Sequence, residues 1–389
     1  MLYHESIPAM ESDYDLIIMG GGCAGLSLAI RLAELGGECP RVAIIERREN
    51  YVHDRTWSYW ATESAQLTHL AKSDWKKVLV GAADQRVVVD CDKTPYQSIH
   101  SDAFYQSAQR KISKNKRIDL FLGESVEAID KKNNLWQVNI KNTSVSAPQV
   151  IDTRPPKRVS DDAPILWQSF SGVEVKCSQD FFDDRVATLM DFTEVTLGEI
   201  GFLYLLPYSP TCALIEATVF GKRAMSPSEL AGMLDGLIKK SVGSVAYEIT
   251  YREHFVIPMG LGDYVPGSDP SYVTVGLESG GARASTGYVF QRIQRWAEGA
   301  VSEIKHGKPV TGHVRDSWVI RKMDKLFLRV LERYPERGPE IFVRLFSMRD
   351  SGSVIRFMND EPTLWDSIRV MSVLPYGIFI KELVRGIFR

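Results

Sequence analysis

Residues 14–46 read YDLIIMGGGCAGLSLAIRLAELGGECPRVAIIE. Tyr14 to Met19 is a short apolar run, the pattern of a buried parallel strand. It leads straight into Gly20-Gly21-Gly22-Cys23-Ala24-Gly25, which fits G-x-G-x-x-G. Leu26, Ala29, Ile30 and Ala33 then recur at helical spacing, and Gly36-Gly37 stops the helix. A second strand, Val42 to Ile45, ends on Glu46. Each part has a mechanical task in holding a dinucleotide. Gly20 permits the tight turn, Gly22 lets backbone approach a pyrophosphate, and Gly25 lets helix and strand pack closely. The helix N-terminus presents free N–H groups and the positive end of its dipole to phosphates. Glu46 stands 21 residues after Gly25, where an acid accepts hydrogen bonds from a ribose 2′-hydroxyl.

That acid disfavours a 2′-phosphate, so NADP is not expected here and FAD or NAD remains. Position favours FAD. The unit stands near the start, most of the chain follows it, and no second glycine fingerprint of equal quality appears. A late segment, Tyr272-Val-Thr-Val-Gly276-Leu-Glu-Ser-Gly-Gly281, reads as a strand entering a glycine-rich loop. In FAD-dependent folds of the aromatic-hydroxylase type, such a loop closes over the flavin ribityl chain. The next helix is expected to begin near Ser285-Thr286-Gly287-Tyr288, its N-terminus toward the flavin pyrimidine edge.

The bulk properties narrow the class. With 389 residues, 44% hydrophobic and 25% charged, the chain has the composition of a globular protein of one or two joined domains. A formal net charge of −2 argues against a nucleic-acid partner. Cys23, Cys39, Cys91, Cys177 and Cys212 are scattered, with no C-x-x-C pair. That pattern predicts neither a metal site nor a disulfide framework, and points to reduced thiols in a cytoplasm. Residues 1–12, MLYHESIPAMES, lack the apolar core of a secretory signal. No apolar stretch is long enough to span a bilayer.

Along the chain, a helix is expected near Phe104 to Ile112. Strands are expected over Ile118 to Ile129 and Trp136 to Ile140, joined by a turn at Lys131–Asn134, and again at Val150-Ile-Asp152 before the turn Thr153–Pro156. Residues 160–260 read as a β-rich unit opening at Trp167. Its strands include Phe202–Leu206 and Ala213–Phe220 around Pro207–Thr211, then a helix Pro227–Lys240 and a strand Tyr247–Phe255. The last ninety or so residues read as helical. The expected division is a discontinuous nucleotide domain (1–60, 100–156 and 265–300), a β-rich substrate domain (61–99 and 157–264) and a helical region (301–389).

With these pieces in order, the chain resembles the bacterial lycopene cyclase family, FAD-binding relatives of the aromatic hydroxylases. The resemblance covers almost the whole length. It rests on Asp54-Arg55-Thr56-Trp57-Ser58-Tyr59-Trp60, on Pro95-Tyr96-Gln-Ser-Ile99 with Phe104, and on Val150-Ile-Asp152-Thr-Arg154. It continues through Trp167-Gln168-Ser-Phe170 with Gly172 and Glu174, Asp191-Phe192, Phe202 to Pro210, Leu214-Ile215-Glu216, and Ser285-Thr286-Gly287-Tyr288. The implied fold class is α/β: an FAD-binding Rossmann-like domain of the aromatic-hydroxylase or glutathione-reductase type, with an inserted β-rich substrate domain and C-terminal helices. Two departures stand out. The family's acid motif often has two adjacent acids before threonine, whereas here Ala217 separates Glu216 from Thr218. Gly276 is followed by Leu277 where flavin hydroxylases have aspartate.

The resemblance implies a polyene such as lycopene as substrate and a redox-neutral isomerisation. A proton adds to the terminal double bond, the cation closes a six-membered ring, and loss of a proton leaves a β-type end. In that family FAD works reduced, with NAD(P)H only as the external reductant. Glu216 is the implied acid or base, because burial without a cationic partner raises a carboxyl pKa. From pattern alone it reads rather as a surface acid on an edge strand, and the resemblance reverses that reading. Trp57, Tyr59, Trp60, Phe202, Tyr204 and Tyr208 are candidates for steadying the cation through their faces. The cofactor candidates are Gly20, Gly22, Gly25, Glu46, Arg55, Gly276, Gly281, Thr286, Gly287 and Tyr288. His254 reads as structural, and His53 and His100 have no partner visible in sequence. The segment Leu364 to Ile387 has an apolar centre flanked by Arg369, Lys381 and Arg385. It suits the surface of a membrane, or else a helix covering the core. Alternatives from other classes are cyclisation of another prenyl or meroterpenoid chain, FAD-dependent monooxygenation, and a non-enzymatic FAD-binding module.

Overall fold

A computed structural model describes residues 12–61, 67–83, 85–141, 143–155, 164–193, 199–261, 264 and 267–387. Residues 1–11, Pro156 of the expected Thr153–Pro156 turn, the expected domain boundary at 156–157 and residue 265 of the expected boundary at 264–265 lie outside the described residues. The glycine fingerprint forms β1 (Leu16–Met19), α1 (Cys23–Ala33) and β2 (Val42–Glu46). Next come β3 (Thr56–Trp60), β4 (Ser73–Trp75), β5 (Lys77–Ala82), β6 (Gln85–Asp90), β7 (Tyr96–His100) and α2 (Ser101–Ile112). Five short strands follow: β8 (Ile118–Leu122), β9 (Val126–Lys132), β10 (Leu135–Ile140), β11 (Thr143–Ala147) and β12 (Gln149–Asp152). Longer strands β13 (Leu166–Cys177), β14 (Val186–Asp191), β15 (Ile200–Ser209) and β16 (Cys212–Gly221) lead to α3 (Pro227–Val242) and β17 (Tyr247–Met259). Last are β18 (Tyr272–Thr274) and helices α4 (Phe290–Lys305), α5 (Trp318–Arg333), α6 (Gly338–Phe346), α7 (Ser351–Met358), α8 (Leu364–Val373) and α9 (Tyr376–Ile387).

A five-stranded sheet of order β18-β12-β1-β2-β8 forms the nucleotide unit, and its neighbours all run parallel. Both faces are covered, which explains why β1 and β2 read as unbroken apolar runs. Leu16, Ile18, Val42 and Ile44 pack against α1, α2 and α4. Ile17, Met19, Ala43 and Ile45 pack against Val138, Ile140, Val145 and Ala147 of the β9-β10-β11 meander. Each such side chain contributes about 1.5–3 kcal/mol by leaving water. The expected single strand Ile118 to Ile129 is two strands in different sheets, because Gly123 turns the chain at φ 71°. Lys131–Asn134 is the expected hairpin turn, with Asn133 and Asn134 both at positive φ.

The second sheet has seven strands in the order β17-β13-β16-β15-β14-β5-β6. Its faces differ. Val173, Val175, Ala213, Ile215 and Ala217 point to α3 and meet Leu234, Leu237 and Ile238. Ser226 and Glu229 start α3 with a reciprocal capping box. The opposite face carries Phe202, Leu214 and Phe220, which pack with Leu328 of α5, Phe342 and Phe346 of α6 and Val354 of α7. A small antiparallel sheet, β3-β7-β4, adjoins it.

The C-terminal helices are tied down by buried charge. Arg283 is fully buried; its Nε and one Nη donate to Asp324 of α5 at 3.1 and 3.2 Å. Arg292 of α4 makes two bonds each to Asp316 and Asp360. Segment Leu364 to Ile387 is two helices rather than one. Pro375 follows Leu374, which is extended, and that residue ends α8. No helix among the described residues is long and apolar enough to cross a membrane.

Candidate active site

A cavity of about 440 Å³ lies between the inner face of the seven-stranded sheet, the Ser285–Tyr288 turn and helices α5 to α9. Its wall is largely apolar: Phe170, Leu189, Phe202, Leu214 and Phe220 from strands, and Met323, Phe327, Phe346, Met358 and Phe379 from helices. Set in this wall are Glu216 of β16 and Glu253 of β17, together with Asp324 of α5, which is paired with Arg283. Glu216 is only 7% exposed, and among the described residues its hydrogen-bond partner is the Thr218 hydroxyl, which donates at 2.6 Å. Burial, then the Glu253 charge, holds its carboxyl well above the usual range, which favours its protonated form.

Glu253 arrives from elsewhere in the chain. Strand β13 lies between β16 and β17, and Gly172 is paired in register with Glu216 on one side and Glu253 on the other. All three therefore face the cavity. A Cβ at Gly172 would stand 3.4 Å from the Cγ of both glutamates, so the missing side chain leaves their stems free to lean together. Glu253 Oε2 accepts the Thr56 N–H at 3.1 Å and the Tyr251 hydroxyl at 3.0 Å. Burial raises its pKa to about 7, while those bonds and the Arg55 charge pull the other way.

Beside them, the Tyr96 and Tyr204 hydroxyls share a hydrogen bond of 2.9 Å, and Tyr288 reaches the same group. Burial pushes Tyr96 and Tyr204 well above the usual phenol range, so both stay neutral. Gln168 also lines the cavity, and its Oε1 is buried without a partner.

One wall of the cavity is the Ser285–Tyr288 turn, which connects to the nucleotide unit. Gly287 sits at φ 69°, and its N–H and that of Thr286 both bond to the Arg283 carbonyl. Helix α4 starts at Phe290, a few residues later than expected. The Gly276–Gly281 turn is closed by bonds from the Ser279 and Gly281 N–H groups to the Gly276 carbonyl, and His313 Nε2 accepts the Gly276 N–H. Burial lowers the His313 pKa to about 4, keeping the ring a neutral acceptor.

The glycine fingerprint fits a dinucleotide. Gly20 holds φ 102°, and a Cβ on Gly25 would collide with the Gly20 carbonyl. A Cβ on Gly22 would meet nothing within 4 Å, so space is open in front of the uncapped N-terminus of α1. Glu46 closes β2 with its carboxylate pinned by the Gly21 N–H at 2.6 Å and the Arg48 N–H at 2.9 Å. Each oxygen keeps a lone pair for a further donor.

The sequence profile described as "Lycopene cyclase protein" matches residues 15–381. The chain belongs to this family. It is 24% identical to the lycopene beta-cyclase of Pantoea ananas over 94% of its length and 96% of that protein. With the lycopene beta-cyclase of Paracoccus sp. it shares 27% identity over 62% of its length, spanning 65% of that protein. Among solved structures, a geranylgeranyl bacteriochlorophyll reductase-like protein from Thermoplasma acidophilum superposes with a TM-score of 0.61 at 13% identity, over 96% of this chain and 98% of that one. A halogenase solved with FAD gives 0.54 at 12% identity, over 86% and 76%. The fold is thus shared with proteins of the FAD-binding hydroxylase and reductase type.

Within the family frame, the predicted residues separate into two groups. Glu216, Phe202, Tyr204, Thr286, Gly287 and Tyr288 meet around the cavity. Trp57, Tyr59, Trp60 and Tyr208 are not in its wall. Trp57 and Tyr59 stack on Phe290 in the nucleotide core, at 5.4 and 4.9 Å between ring centroids. Trp60 is fully buried against Tyr96, and Tyr208 packs by Trp75 and His100. The period-2 alternation of β3 explains part of this: Thr56 and Ser58 face the cavity, so Trp57 and Tyr59 face away. Arg55 is partly exposed, 3.9 Å from Asp54 and stacked 4.5 Å over Phe255. His53 and His100, unpartnered in sequence, stack on each other, and His53 also stacks on Tyr251. His254 bonds to Ser171 on the sheet. Sequence reasoning passed over Glu253. The available signal was Gly172, a lone glycine inside a long strand, which marks close approach of neighbouring groups.

Proposed function

We propose that this chain cyclises the open end group of a carotenoid polyene such as lycopene, without net oxidation, to give a β-type ring. The observation that carries this reading is Glu216, a buried carboxyl kept protonated by its surroundings, set in an apolar cavity beside aromatic rings. Family membership and the lycopene beta-cyclase relatives point the same way. The Glu216 proton adds to the terminal double bond. The apolar wall excludes water that would trap the resulting cation, and the faces of Phe202 and Tyr204 stabilise it by about 0.5–2 kcal/mol each. The neutral Tyr96–Tyr204 pair supplies no charge of its own and fixes the ring beside the acid.

Gly20, Gly22, Gly25, Glu46 and the α1 N-terminus would hold FAD, and Gly276, Gly281, Thr286, Gly287 and Tyr288 would line its other end. Bound FAD, kept reduced at the expense of NAD(P)H, supplies negative charge for a nearby cation. The substrate enters from a membrane surface. Leu364, Trp365, Ile368, Ile380 and Leu383 form an exposed apolar row on α8 and α9, and Met371 and Tyr376 are both exposed there and part of the cavity wall. The test is expression in cells that accumulate lycopene. Cyclic carotene is expected from the wild type, and Glu216→Gln should lower conversion by about 100-fold or more. Unchanged pigment with folded, flavin-loaded protein would reject the reading.

A further inference from the structure

We infer that Glu253 is the base that removes the ring proton, acting with Glu216 as one carboxyl–carboxylate pair across Gly172. This rests on the cyclisation proposed above and adds a second reacting group to it. Two features of geometry carry it, with one of charge beside them. Glu216 and Glu253 flank the same glycine, on the same sheet face, in the same cavity wall. Their hydrogen bonding differs. Among the described residues Glu216 is tied only to the Thr218 hydroxyl, whereas Glu253 receives the Thr56 N–H and the Tyr251 hydroxyl, two donors that favour its anion. The Arg55 charge also acts on Glu253 and favours its anion. Two carboxyls so close cannot both ionise cheaply, and these surroundings assign the proton to Glu216.

The balance of the reaction suits such a pair. The Glu216 O–H bond breaks as a C–H bond forms at the less substituted carbon of the terminal double bond, leaving a tertiary cation. The next double bond gives its electrons to the cation and closes the ring. A ring C–H bond then breaks, its electrons become the ring double bond, and the proton goes to Glu253. One proton is lost and one gained, with no oxidant or reductant consumed. Moving one proton between the two carboxyls restores the starting state. On the Glu253 side the Thr56 hydroxyl lies 3.4 Å from His53 Nε2, so hydrogen bonding continues from the carboxylate to the imidazole.

Groups facing Glu253 are Glu216 from β16, Tyr208 from β15, Arg55 and Thr56 from the β3 end, and Tyr251 on its own strand, stacked on His53. In this setting Glu253 must be ionised to act. The wild-type rate should therefore fall on the acid side as pH drops through about 7. Glu253→Gln should lose about 100-fold in kcat, with an unchanged flavin spectrum and a melting temperature no lower than that of the wild type. Glu253→Asp should recover part of the rate and keep the acid limb. The limb should vanish from the residual rate of Glu253→Gln and persist in Tyr251→Phe, shifted upward. A Glu253→Gln protein that cyclises at the wild-type rate, or keeps the same acid limb, overturns the inference while the cyclase reading stands. A wild type that cyclises no polyene at any pH overturns the reading itself.

Discussion

At the residue scale, the site depends on where the strand period sends each side chain. The family's second acid would fall at position 217. Ala217 faces α3, among Ile215, Leu234 and Leu237, while Glu216 faces the cavity. Neighbours on a strand point to opposite faces, so an acid at 217 would not share this cavity with Glu216. The partner comes instead from a strand two positions away in the sheet. Gly172 keeps the gap open, so Gly172→Val should wedge the carboxyls apart and cut conversion strongly, with a much smaller loss in melting temperature. A pigment assay beside a thermal melt checks this. Linkage gives a second expectation. Glu253 has a folded pKa raised from 4.5 to about 7, so its protonated form favours folding. That contribution is complete below about 4.5 and lost as pH rises to about 7. Denaturant titrations across this window should show the wild type losing stability relative to Glu253→Gln.

Elements were legible in proportion to how local their signals are. The turn from β1 into α1 and the strand ending on Glu46 follow from neighbouring residues, and they stand as read. The β13-β16-β17 register joins residues far apart in sequence, so the meeting of Gly172, Glu216 and Glu253 left no local pattern. The aromatics of Thr56–Trp60 were assigned as a block, although a strand divides them between two faces. The charged anchor under the C-terminal helices was equally non-local. Arg283 and Asp324 are both almost fully buried, and removing one leaves the other charge inside. Asp324→Ala should therefore destabilise by about 3–5 kcal/mol, read as a lower urea midpoint. A loss below about 1 kcal/mol, the usual worth of an exposed pair, would contradict this placement.

At the scale of the molecule, the pieces form a path from an apolar surface to a buried acid. Sheet and turn supply the carboxyls and the cofactor side, and α5 to α9 roof the cavity and present the exposed row on α8 and α9. The proposed docking on a membrane rests on the apolar area of that row. Wild-type protein should float with anionic lipid vesicles, and Trp365→Asp with Ile380→Asp should reduce the bound fraction several-fold; equal flotation would contradict the docking face. The central claim is that the chemistry is proton transfer without net oxidation. Its most direct test is the mass of the product formed from lycopene in D2O by the flavin-loaded protein. A cyclic product that gains only deuterium at the protonated carbon, with no added oxygen and no loss of hydrogen pairs, is the predicted result. A product heavier by an oxygen atom, or one desaturated or reduced, would contradict it.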